Sequence, residues 1–166
     1  MALLRGAFTA APQAAVPTSA LCPRSTAPRK GTVLAFDFGL KRIGVAVGEW
    51  ETRTAHPLTT LNAEANAERF ARIGALLQEW RPVELVVGLP LALTGEAHAL
   101  TQRCRRFAHQ LEGRFGLPVA LVDERLTSVE AEARLREAGV RGRAVAAAVD
   151  ALAAQRILED FFRQQA

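Results

Sequence analysis

The run Thr32–Val47, reading TVLAFDFGLKRIGVAV, constrains the fold of this chain more than any other stretch. Thr32–Phe36 combines alternation with apolar, β-branched residues in the manner of a central strand. That strand delivers one carboxylate, Asp37, at its end. Phe38-Gly39-Leu40 turns the chain, Lys41 and Arg42 add two cations, and Ile43–Val47 reads as a returning strand. An acid at a strand end, a glycine turn and adjacent cations suit a metal ion held against a phosphate. The same residues also suit an ordinary hairpin, because Asp is common at turns. This segment alone does not separate the two readings.

With 166 residues, 49% of them hydrophobic and 23% charged, the chain has the size and composition of one globular domain. No stretch approaches the roughly 18–20 uninterrupted apolar residues of a membrane span. Cys22 and Cys104 follow no metal-ligand spacing, which points to a reducing compartment, the cytoplasm, and no disulfide framework. The formal net charge of +4 hints at nucleic acid, but its location removes the hint. Residues 1–31 hold Arg5, Arg24, Arg29 and Lys30 and no acid, so the remainder is formally neutral. Bulk charge therefore argues for no partner; only local placement of cations can.

Residues 1–31 are rich in Ala, Pro, Ser and Thr and read as a disordered basic extension to a domain over 32–166. Arg5 and Pro12 interrupt the only apolar run, which argues against a secretory signal. The acid-free composition also fits an organelle transit peptide, and the abrupt onset at Thr32 fits a misplaced translation start. Further along, Ala55–Leu61 reads as a third strand completing a meander. Phe70, Ile73, Leu76, Leu77 and Trp80 have helical spacing within Glu64–Trp80, and Arg81-Pro82 stops that helix. Glu84–Leu89 is a buried strand ended by Pro90. A second helix runs from about Glu96 to Phe115, with Leu100, Cys104, Phe107 and Leu111 on one face, and Gly116 and Pro118 close it.

Val119–Val122 is a further strand, which delivers Asp123 and Glu124. Thr127-Ser128-Val129-Glu130 has the form of a capping box, so a third helix starts there and ends by Gly139. The last helix covers roughly Val145–Arg163. A meander followed by αβαβ and closing helices implies an α/β fold. It has a five-stranded mixed sheet, helices on both faces, and parallel pairs where helices connect strands.

Val145–Ala154 reads VAAAVDALAA, in which Asp150 is the only polar side chain. A lone carboxylate on a small apolar helix is costly to bury unless it is paired or bound to a cation. The alanines let that helix lie close to a sheet. An Asp150 on the solvent edge of the helix remains the plainer reading. Three acids from separate segments suit two Mg²⁺ or Mn²⁺ ions, about 3.5–4 Å apart and clamping a phosphoryl displacement, better than a general acid/base pair. His56, His98 and His109 follow no ligand spacing and read as surface or loop residues. No Walker loop, CxxC pair or GxSxG elbow is present.

DFGLKRIGVAV, VVGLP, VDERLTSVEA and VDALAAQRILEDF, in this order, resemble the YqgF family over about residues 32–163. These are bacterial proteins described as Holliday-junction resolvases and as pre-16S ribosomal RNA nucleases. The resemblance implies a ribonuclease-H-like fold and a metal-dependent nuclease acting on structured RNA or branched DNA, as a monomer or homodimer. It further implies that Asp37, Glu124 and Asp150 are catalytic and hold the metal ions. Lys41, Arg42 and Arg125 then face substrate phosphates, and Gly39, Gly44 and Gly88 permit close backbone approach.

Related resolvases carry an acid at the end of the strand equivalent to Glu84–Leu89, where this chain has Gly88-Leu89-Pro90. The acid must then come from Asp123 or Glu124, which alternation points to opposite sides. Glu124 is preferred. The family's Asn and Asp after Gly-Leu-Pro are missing from Leu91-Ala92-Leu93-Thr94-Gly95, which affects substrate contacts more than chemistry.

Ribosomal RNA processing is favoured over junction cleavage, because a neutral domain lacks a broad basic surface. A non-catalytic nucleic-acid-binding module of the same fold is the alternative, and retention of all three acids argues against it. An actin-like or sugar-kinase-like ATPase needs two such domains, and this chain has length for one.

Overall fold

The computed structural model describes residues 29–62, 65–90, 97–123 and 143–166. The extension up to residue 28, the loop Leu91–Gly95 and the helix expected from Thr127 to Gly139 lie outside the described residues.

The opening hairpin forms as its sequence requires. β1 (Thr32–Phe38) and β2 (Arg42–Glu49) pair antiparallel from Thr32↔Glu49 to Phe38↔Ile43. Gly39 closes the turn, its N–H donating to the Arg42 carbonyl at 2.9 Å. β3 (Thr54–Asn62) continues the meander beside β2 and carries Pro57 inside the strand. Proline has no ladder donor, and β3 is tolerant of it as an edge strand. The register slips there. Val45 pairs with Thr59 and Ala46 with Pro57, leaving Leu58 as a bulge.

α1 (Asn66–Trp80) starts two residues after the expected Glu64, which lies outside the described residues. It ends where Arg81 turns left-handed, at φ 46° and ψ 55°, and its N–H bonds the Leu77 carbonyl at 2.9 Å. β4 (Glu84–Leu89), α2 (Ala97–Phe115), β5 (Val119–Asp123) and α3 (Arg143–Gln164) follow. Strand order is β3-β2-β1-β4-β5, with β4 parallel to β1 and β5 parallel to β4. This is the five-stranded mixed α/β sheet expected from the sequence. Arg29, three residues before Thr32, bonds Glu84 at 3.2 Å and lies 5.0 Å from the Trp50 ring centre.

Strand alternation sorts the apolar residues into two cores. Leu34, Phe36 and Phe38 of β1 face α1 and α2, together with Ile43, Val45, Leu85 and Val87. Phe107 of α2 is the hub there, with ring centres 6.0 Å from Phe36, 4.8 Å from Phe38 and 6.1 Å from Phe70. Val33, Ala35, Ala46 and Val86 face the other way, onto Ala154, Ile157, Leu158, Phe161 and Phe162 of α3. Trp50 grips the far end of α3, 5.3 Å from Phe161 and 5.4 Å from Phe162.

Toward its near end α3 approaches the sheet backbone at Asp150. At Gly44 of β2 an added Cβ would overlap the backbone carbonyl of Asp150. The obstacle is main chain on both sides, so neither element can yield by changing a rotamer. Gly44→Ala is therefore expected to cost about 3 kcal/mol of stability or more, the upper end for an overpacked core, read as a lowered midpoint in urea denaturation.

Candidate active site

Asp37 is the next residue after Phe36 on β1, and alternation turns it away from the aromatic core and toward α3. Its antiparallel partner is Gly44, and Gly44 in turn pairs with Thr60 of β3. On the other side, β4 runs parallel in the register Phe36↔Val87, so the residue beside Asp37 is Gly88. The two strands flanking Asp37 thus bear no side chain at its level. Above this row lies α3. Gly44 admits the helix backbone at Asp150, and the Thr60 hydroxyl donates to the Ala147 carbonyl one turn earlier. Gln155, further along, donates to the Ala55 carbonyl at 3.0 Å.

The result is two carboxylates on one face, from elements remote in sequence. Burial, with the nearby Asp150 charge adding to it, pushes the Asp37 carboxyl up to about 6. Asp150 is partly buried and accepts a 2.6 Å ion pair from Arg42 Nε, at the start of β2. The cost of burying an acid on an alanine-rich helix is thus met by a specific cation. The plainer expectation, Asp150 on the solvent edge of the helix, does not describe this pairing. Arg42 shares its face with Gly44 and Ala46, so β2 supplies both the cation and the gap that lets α3 in.

Lys41 is exposed in the turn. Glu124 and Arg125 lie outside the described residues. Asp123 ends β5 immediately after Val122, which belongs to the core beneath α3, so Asp123 is on the opposite face from Asp37. Among the described residues no group of three or more His, Cys, Asp and Glu comes together. His56 and His109 are exposed, as expected. The sequence reading missed two features: the Arg42–Asp150 pair and Thr60 as a strut for α3. Only cross-sheet register reveals them, through the Asp37–Gly44–Thr60 row.

The donor set has the chemistry of a hard-cation site. Two carboxylates that raise each other's energy are relieved by a divalent ion with oxygen preference, and an arginine beside them suits a phosphate.

This chain is similar to known proteins in sequence and in fold. The family described as "RuvX: Holliday junction resolvase" matches residues 31–164. A relative from Methylobacillus flagellatus, named "Putative pre-16S rRNA nuclease", is 56% identical over 140 residues, spanning 84% of this chain and 96% of its own. One of the same name from Nitrosomonas europaea is 52% identical over 140 residues, spanning 84% and 95%. The solved structure of T. thermophilus RuvC in complex with Holliday junction substrate matches with a TM-score of 0.50. Its sequence is 17% identical, and the match covers 81% of this chain and 95% of that one. That likeness is one of fold, the ribonuclease-H-like fold expected from the sequence.

The raised Asp37 value has a measurable sign. The folded state keeps a proton to about pH 6 that the unfolded chain loses near 3.8, so without metal the protein loses stability as pH rises between these values. Asp37→Asn, measured in EDTA, is expected to be more stable than wild type at pH 7.5 by up to about 3 kcal/mol, the difference vanishing below about pH 4. Urea midpoints at the two pH values test this.

Proposed function

The chain belongs to the RuvX family, and on that premise we propose that it is a nuclease hydrolysing phosphodiester bonds of structured nucleic acid. Its roles in this reading are 5′ maturation of pre-16S rRNA, for which its relatives are named, and Holliday junction resolution, for which the family is described. The observation that carries the reading is the convergence of Asp37 and Asp150 on one face, with Arg42 bonded to Asp150 at 2.6 Å.

In this proposal Asp37, Asp150 and Glu124 hold Mg²⁺ or Mn²⁺. Two such ions supply activation of the attacking water and stabilisation of the leaving oxygen. Glu124 is assigned rather than Asp123 because Asp123 is on the other face of the sheet. At pH 7.5 Asp37 stands above its value of about 6, so it is mostly ionised and able to act as a ligand. Arg42 holds Asp150 through Nε, which leaves the outer edge of its guanidinium for a substrate phosphate. Lys41, exposed in the turn, and Arg125 serve the same phosphates. The nuclease domain takes in residues 32–166, with 1–31 as a separate extension, and acts in the cytoplasm as a monomer or homodimer. Among the described residues no helix is long and apolar enough to cross a membrane.

The test is cleavage of a labelled ribosomal RNA precursor fragment and a labelled four-way DNA junction, with Mg²⁺, Mn²⁺ or EDTA. Metal-dependent cutting is expected, and Asp37→Asn and Asp150→Asn should each lower the rate by roughly 10²–10³-fold, as when a charge-stabilising group is lost. Binding without cutting, the same in all three proteins, would instead mark a non-catalytic module.

A further inference from the structure

The nuclease reading uses the α3 face and leaves unused a basic cleft on the opposite face. α1 and α2 leave between them a cleft of about 370 Å³, lined by Leu40, Asn66, Arg69, Arg103, Arg106 and Gln110. Arg103, Arg106 and Gln110 are spaced i, i+3, i+7 and share one side of α2. Asn66 and Arg69 are spaced i, i+3 on α1. No acid is among the described residues that line the cleft. Glu68, beside Arg69, bonds Arg72 instead, at 2.8 Å.

Arg69 is 8% exposed, and its guanidinium lies 5.3 Å from the Phe38 ring centre. Arg103 and Arg106 are exposed and, among the described residues, carry no ion pair. The exposed guanidinium groups of Arg103 and Arg106, one turn apart on α2, repel each other, and a polyanion relieves that repulsion. The two amides add neutral donors of the kind that contact phosphate and sugar.

Position identifies the polyanion. Phe38 and Leu40 bring this cleft to the β1–β2 turn, the same turn that carries Asp37 on its N-terminal side and Arg42 on its C-terminal side. The cleft and the carboxylate face therefore adjoin the same turn, from opposite sides of the sheet. We infer that the cleft binds the phosphodiester backbone of the substrate a few phosphates from the one that is cut. The nucleic acid then crosses the edge of the sheet over the β1–β2 turn instead of lying along α3. The inference rests on the nuclease reading for the identity of its ligand.

The experiment measures binding in EDTA, where metal-dependent cutting is off, by fluorescence anisotropy across a salt series. The probes are a fluorescein-labelled RNA hairpin with a single-stranded 5′ tail and a labelled four-way DNA junction. Arg103→Gln/Arg106→Gln is compared with a control of equal charge loss, Arg81→Gln/Arg105→Gln, whose side chains do not line the cleft. The cleft pair should weaken binding about 10-fold near physiological salt. It should also flatten the dependence of log affinity on log salt by about 1.5, the share of two phosphate contacts. The control should stay within about 2-fold of wild type.

An effect on one probe alone names RNA or branched DNA as the ligand, and either supports the cleft. Wild-type affinity and slope in the cleft pair would overturn the inference, and so would equal losses in the two pairs. Wild-type protein that binds but never cuts would sink the nuclease reading and leave this comparison intact. Cutting by wild type alongside an unaltered cleft pair would sink only the cleft.

Discussion

Helix and strand backbones ordinarily stay apart by the width of their side chains. At Gly44 that spacer is missing, and α3 comes down until its main chain at Asp150 touches β2. The geometry of the candidate site follows from this contact. It sets Asp150 on the same face as Asp37, within reach of Arg42 at 2.6 Å, and it raises the Asp37 carboxyl through charge repulsion on top of burial. The arrangement carries an electrostatic cost, which shows in the raised value of the Asp37 carboxyl.

The two ends of α3 divide the labour. Its far half carries Ile157, Leu158, Phe161 and Phe162 and is clamped by Trp50, so the helix is fixed by apolar burial away from the candidate site. Its near half is mostly alanine and is fixed by directional bonds, from Thr60 to Ala147 and from Arg42 to Asp150. Packing supplies the affinity of helix for sheet, and the polar pairs set the depth at which the carboxylate stops. The opposite face, built around Phe107, holds β1 rigid from behind.

Most of the fold was legible in the sequence because its signals are local. β4 runs from Glu84 to Leu89 as its apolar run indicated, and Pro82 and Gly116 mark helix ends where expected. Pro57 gave no warning of its bulge, because a proline inside a strand is tolerated only at a sheet edge, and edge position is a property of the whole sheet. The candidate site was legible as a set of residue types but not as a geometry. Asp37 and Asp150 stood out by position in a strand end and by isolation among alanines. That Arg42 bonds Asp150, and that Asp123 is turned to the other face, depends on register between segments far apart in the chain. Four motifs in order conveyed the family.

The ion pair between Arg42 and Asp150 joins residues 108 positions apart, and it draws α3 onto strands laid down much earlier. Contacts of such long range are late events in folding, because the chain must close a large loop before it gains from them. During synthesis, which proceeds from the N-terminus, the central hairpin with Asp37 can form while α3 has not yet been made. Until then the hairpin holds Asp37, Lys41 and Arg42 without Asp150 opposite them. The order of synthesis thus leaves the candidate site incomplete in the nascent protein until the last helix seats on Gly44.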